Sequence, residues 1–409
     1  MKNVAVSILI CAVIAGAAAA ADSPQFRGPN RDGKFPETGL LKEWPENGPP
    51  VLWVANGIGE GYASPSIVGD TLYVPGMLEG EQGYLFVLDL AGNIKSKHAY
   101  GPETLTKQAP GPRSTPTIDG DRLYLISGLG VVTCFKLPEC GILWQVDMMK
   151  RFNGQVVAWA IAESPLIDGE NLICTPGGPD ASIAALNKMT GQTVWTSKGW
   201  SEPSAYCSPA LFEVGGHRII VTMTAKSVVG LDAATGALLW SHTHETDYDI
   251  HAVTPVLEGR MLYYTGGYGS GGGMLLLSED GSSVTPQWAD KNLDCQHHGV
   301  VLLDGYIYGT GHKNQNLMCL QLQTGKLMWE AKEVRQGALV YADGMLYVYE
   351  GPGGGAVSLV KAAPEGFSRT GAFKVTQGSG NHWAHPVISG GRLYIRHGDV
   401  LIAYDIAAK

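Results

Sequence analysis

Charge is scarce in this sequence. Asp, Glu, Lys and Arg make up 16% of the 409 residues, the formal net charge is -9, and no basic run occurs. Nucleic acids require clustered Lys and Arg to displace phosphate counterions, and anionic lipid surfaces require the same, so neither partner is expected. None of the 7 cysteines is adjacent to another and no C-x-x-C occurs. The only close pair after residue 21 is Cys134 and Cys140, so the cysteines are expected to be mostly buried small hydrophobes rather than bridges. No nucleophile elbow and no Ser-His-Asp set can be justified. The glycine-rich stretch from Gly266 to Gly273 lacks the Lys-Ser/Thr and the helix of a phosphate loop, and reads as a flexible hairpin tip.

The one strongly apolar run lies at the N-terminus. Lys2 supplies a positive start, Val4 to Ile14 is too short to span a membrane comfortably, and alanines follow to Ala21. This is the pattern of a secretory signal over residues 1–21 with cleavage before Asp22. Cys11 lacks the preceding small residue of a lipoprotein signal. The mature chain, 22–409, is expected to be exported to the periplasm or beyond, without a transmembrane segment, and to be a monomer.

Glycine is plentiful, with 55 residues, and the hydrophobic fraction is 44%. Many tight turns between buried strands fit that balance. A period of about 45 residues runs through the chain, in the range of propeller blades. Each unit reads Ser/Thr-Pro, an apolar stretch, a Gly/Asp turn, a strand such as "RLYLI", then "LDxxTG" and "LW". The turns fall at Gly69, Gly120, Gly169, Gly215, Gly259, Gly305, Gly344 and Gly390, which predicts eight blades in one all-β domain. The last blade lacks a fourth strand, because the chain stops at Lys409. An extra strand ending near Trp53 stands alone before the first blade. Residues 26–57 are therefore expected to pack on the last blade, and their strand to close the ring, which removes two exposed sheet edges.

The fullest copy, Leu231 to Trp240 ("LDAATGALLW"), resembles the tryptophan-docking repeat of the pyrroloquinoline quinone (PQQ) propeller superfamily. The opening Pro24 to Pro36 and the stretch Ala162 to Gly178 resemble exported PQQ-like repeat proteins of the planctomycete type. The resemblance covers nearly the whole mature chain. It implies kinship both with PQQ-dependent alcohol and sugar dehydrogenases and with the propeller lipoprotein of outer-membrane assembly. For the dehydrogenases it implies a vicinal disulfide against the quinone and a calcium ion held by Glu, Asn and Asp. This sequence has no Cys-Cys pair, and only Glu163 can be placed near the calcium region, so PQQ and calcium are not expected.

In a propeller the first strand of each blade lines the channel, and the residues just before the Ser/Thr-Pro step converge at one mouth. Counting back gives Tyr62, Arg113, Tyr206, His298, Trp383 and His385 as candidate ligand-binding residues, with Glu163, His251 and His382 close by. Period-two alternation is expected to put His297 and His298 on opposite faces. Aromatic faces suit a sugar or ring, and Arg113 offers a forked donor to a carboxylate or phosphate. No metal site is expected, since no pair has the spacing of a known short motif. Two functions stay open. One is a binding or scaffold module for a small molecule, a carbohydrate or a protein partner. The other is an enzyme at the mouth, either a PQQ-type oxidoreductase or a carbohydrate-active enzyme.

Overall fold

The computed structural model describes residues 21–106, 108–351 and 354–408; the expected leader therefore lies outside the described residues except for Ala21. Eight antiparallel sheets form the eight blades of a β-propeller. The first comprises Ser66–Val68, Thr71–Leu78, Gln82–Asp89 and Ile94–Pro102, from the channel outward. Later blades begin at Thr117, Leu166, Ala210, Val256, Val301, Gly337 and Val387. Among the described residues no helix is long and apolar enough to cross a membrane.

The ring closes as the repeat count requires. Val51–Asn56 is the outer strand of the eighth blade and pairs antiparallel with Val400–Asp405, Trp53 lying opposite Ala403. Apolar clusters fill the joints between neighbouring blades, and the largest spans blades seven, eight and one. All six cysteines of the described chain are buried and unbridged, each within one of these clusters.

The repeat motif now has a mechanical meaning. The outer-strand indole of one blade donates to a carbonyl of the next blade's turn: Trp53 to Leu90, Trp144 to Lys188, Trp195 to Ala233, Trp240 to Gly281, Trp288 to Leu322 and Trp329 to Ala363, at 2.8–3.2 Å. The glycine of "TG" lies under that ring. At Gly236, φ is +72° and an added Cβ would fall 2.3 Å from the Trp195 indole, so both backbone and space demand glycine. Blade seven has no such Trp. Its outer strand carries Phe373, and Trp44 of the N-terminal segment packs on that ring at 5.1 Å. Leu41 donates to the Ile406 carbonyl, so this segment spans the joint between blades seven and eight.

Residues 26–35 take a different course from Val51–Asn56. They belong to an arm that crosses the channel. Ser23 bridges to Ile67 of blade one, Ile118 of blade two donates to the Pro24 carbonyl, and Lys34–Phe35 adds a parallel fifth strand to blade seven. Innermost strands have an unpaired edge, and the arm supplies it with donors. Arg31 reaches the Ser164 and Pro165 carbonyls at 2.8 and 3.0 Å. Arg27 reaches those of Val300 and Leu339 at 2.6 and 3.2 Å.

Candidate functional site

At the end of the channel where the blades' entry segments converge, the arm's Phe26 helps line a cavity of about 210 Å³. Its wall repeats one arithmetic. Tyr62 and Ser64, Arg113 and Thr115, Tyr206 and Ser208, and Trp383 and His385 are pairs two residues apart, each presenting both members to the cavity. Extended chain alternates faces, so one short segment per blade delivers two side chains. Five of the nine candidates thus meet here: Tyr62, Arg113, Tyr206, Trp383 and His385.

The other four do not line the cavity, and each is the immediate neighbour of a residue that does. Glu163 lies between Ala162, which lines, and Ser164. It is buried, and Thr175 donates to both its oxygens, from the backbone at 2.9 Å and from Oγ1 at 2.5 Å. Burial pushes its carboxyl up to about 7. His251, between the lining residues Ile250 and Ala252, pairs with His244 at 3.0 Å. His382, beside Trp383, contacts the Tyr349 hydroxyl at 2.6 Å and stacks on His397. In blade six it is His297 that lines the cavity, and His298 is buried behind it. The two rings are not on opposite faces: their centroids are 3.9 Å apart, because the segment bends there instead of continuing as a strand.

The displaced register in blade six has a physical cause. Most blades use a turn with glycine first, as at Gly69-Asp70, and a proline marks the register. Blades six and seven have no such proline and turn through Asp304-Gly305 and Asp343-Gly344, with positive φ at both residues. Counting from the glycine slips by one. Counting from the paired strand ends gives His297 and Gln336.

Sequence counting also misses residues that come from between the repeats. Gln108, Ala109 and Trp159 lie on interblade loops, Gln296 precedes His297, and Phe26 belongs to the arm. Tyr268 comes from the glycine-rich hairpin tip. Its hydroxyl accepts from Gln296 at 2.7 Å, and its backbone N–H donates to His312 Nδ1 at 3.0 Å. Tyr206 and Tyr268 hold φ of +76° and +60°. Bulky residues in that region carry backbone strain, which gathers where side-chain placement matters.

The electrostatics are one-sided. Among the described residues no Asp or Glu lines the cavity. The Arg113 guanidinium donates to the Ala109 carbonyl at 2.6 Å, to Thr106 Oγ1 at 2.7 Å and to the Trp159 carbonyl. Its fork is thus largely occupied, and it presents charge rather than two free parallel donors. Among the described residues neither Arg113 nor Arg27 makes an ion pair. Burial lowers the Arg113 pKa, while Glu103, Tyr62 and Tyr206 nearby oppose that shift. Arg27 donates to His385 Nδ1 at 3.1 Å, and His385 Nε2 faces the His297 carbonyl at 3.1 Å. That arrangement fixes His385 as the neutral Nε2–H tautomer. Burial holds its pKa well below the usual histidine value, and Arg27 lowers it further.

These residues do not fit calcium-dependent PQQ chemistry. Glu163 is committed to Thr175, no group of three or more His, Cys, Asp or Glu among the described residues is placed to hold a metal ion, and no two cysteines are adjacent.

The fold has solved relatives. BamB from Moraxella catarrhalis superposes with a TM-score of 0.62 at 14% identity, covering 87% of this chain and 99% of that one. The quinohemoprotein alcohol dehydrogenase from Comamonas testosteroni gives 0.71 at 12% identity, covering 97% of this chain and 82% of that one. The computationally designed Ika8 protein gives 0.59 at 13% identity, covering 87% of this chain and 99% of that one. Identities this low show a shared fold alone. No curated protein matches the chain in sequence. The family described as outer membrane protein assembly factor BamB matches residues 85–331, more than half the chain, and with its blades and docking tryptophans in place this PQQ-like propeller belongs to that family.

Proposed function

We propose that this chain is an exported binding protein that holds a small, ring-bearing anion at the channel mouth. The observation that carries the reading is Arg113, without an ion-pair partner, facing a cavity walled by Tyr62, Trp159, Tyr206, Tyr268 and Trp383 and lined by no carboxylate. Ring faces supply apolar contact, and a cation in a partly desolvated site favours an anion over a neutral molecule. Export rests on the leader pattern of residues 1–21 and on the kinship with PQQ-like propellers.

The enzyme readings have less support. Glycoside hydrolysis uses two carboxylates across the scissile bond, and this cavity presents none. A quinone-dependent oxidation lacks its ligand set, as above. The test uses the cavity's own reporters. Trp159 and Trp383 fluorescence should respond saturably to benzoate, and neutral benzamide should require about tenfold more ligand. Arg113→Met should remove that preference. Equal binding of the two compounds, or no response to either, would overturn the proposal.

A further inference from the structure

We infer that the physiological occupant of this cavity is the C-terminal end of a polypeptide whose last residue is aromatic or large and apolar. The inference rests on the reading of the cavity as an anion site and names its partner.

The large apolar side chains exposed on this molecule fall into two groups. One lies on outer strands and outer turns, such as Val51, Leu52, Ile142, Leu143 and Val194. The other consists of Leu105, Val156, Trp159 and Tyr248, exposed by 56%, 41%, 36% and 77%. All four stand on loops that also carry cavity-lining residues: Leu105 near Gln108, Val156 near Trp159, and Tyr248 near Ile250. Tyr248 and Asp249 hold φ of +66° and +56°, and the Tyr248 ring packs edge-on against Tyr268 at 5.5 Å. The mouth thus has an apolar collar outside an aromatic, cationic hole.

A free single-ring anion would fill the hole and leave the collar in water. The hole is small, about 210 Å³ against roughly 300–1,000 Å³ for ordinary small-molecule sites. It therefore suits one ring, and the collar calls for something that continues outward. Apolar surface gathered around a pocket marks an interaction site. An internal peptide segment would cover the collar, but it carries a carboxylate only on an Asp or Glu side chain, on a different residue from the one that bears the ring. A chain terminus brings both, with its carboxylate attached to the residue that bears the ring. Because three of the five Arg113 N–H donors already serve Thr106, Ala109 and Trp159, the carboxylate is recognised through charge more than through a bidentate fork, and a neutral amide cannot replace that charge.

The experiment titrates the mature chain with three probes: N-acetylphenylalanine, an otherwise uncharged hexapeptide ending in phenylalanine, and its C-terminal amide. The acid peptide should bind at least about tenfold tighter than N-acetylphenylalanine and about tenfold tighter than the amide. The double variant Leu105→Ser, Val156→Ser changes only collar residues that do not line the cavity. It should bring the peptide down to the affinity of N-acetylphenylalanine and leave that small ligand unaffected. If the small acid binds but the peptide binds no better, the terminus inference fails and the anion-site reading survives. If the amide matches the acid, the terminus inference fails. If benzoate, N-acetylphenylalanine and the peptide all fail to bind a normally melting protein, both fall.

Discussion

Arg27→Met tests whether the arm holds the ring together. The guanidinium is buried and supplies donors to the Val300 and Leu339 carbonyls and to His385 Nδ1. Methionine fills similar space but leaves three buried acceptors without partners. At about 2 kcal/mol each this costs about 6 kcal/mol. Against that, the buried charge is itself unfavourable: burial lowers the Arg27 pKa from 12.5 to about 10, a penalty of about 3 kcal/mol that the substitution relieves. The lost hydrogen bonds win, and the net destabilisation is about 3 kcal/mol. Equilibrium denaturation in urea measures it directly. A second readout follows His385: without Arg27 beside it, its ring should titrate at higher pH, visible in imidazole nitrogen shifts. A loss below about 1 kcal/mol, or a gain, would refute the view that the arm's donors are needed by the inner strands.

Acid should destabilise the fold early. His244, His251, His297, His298 and His385 are held below the ordinary histidine value chiefly by burial, so protons bind the unfolded chain first and stability falls as pH drops below 6.5. Glu103 and Glu163, raised to about 7 by burial, act the other way: their contribution is full below 4.5 and declines as pH rises to 7. Histidines shifted this way outnumber the raised carboxylates, so net stability falls as pH drops from 6.5 towards 5, and a Tm that stays flat from pH 7 to 5 would contradict this. Gly236→Ala should cost about 2–3 kcal/mol, because it strains the backbone and drives Cβ into Trp195; an unchanged melt would show that the indole can move aside. Deleting residues 22–55 removes both the arm and the closing strand and should produce aggregation visible by light scattering, whereas a stable monomer would show that the eighth blade tolerates three strands. Purified protein mixed with PQQ and calcium should show no tight complex in a spectroscopic titration; saturable binding with dye-linked alcohol or sugar oxidation would reverse that expectation.

The fold was legible because each blade carries its own punctuation. Proline marks strand entry, glycine marks the hairpin, and the indole reports docking on the next blade. Trp53 was informative because it carried a docking signal with no blade of its own. The site was legible only where that punctuation held. Tyr62, Arg113, Tyr206, Trp383 and His385 follow from a proline two or fewer positions beyond the pair. His297 was missed where an Asp-Gly turn moved the glycine by one position. Glu163, His251 and His382 were included by nearness in sequence, although extended chain turns neighbours to opposite sides. Phe26, Trp159 and Tyr268 come from the arm, a loop and a hairpin tip. Contacts between segments far apart in sequence leave no local pattern, so no period could disclose them.

The closing strand also sets an order of events during synthesis. Val51–Asn56 is made before every blade and pairs with Val400–Asp405, which is made after the first seven. Seven blades can form while the eighth waits for its inner three strands to meet the closing strand. Loop-closure entropy grows slowly with length, so joining the ends is affordable once the intervening blades have compacted. Until then the first and seventh blades each present a bare flank. A circular permutant that begins at residue 57 and carries residues 22–56 after a linker at the C-terminus would make the last blade contiguous, shortening that vulnerable interval without altering a single native contact of the blade.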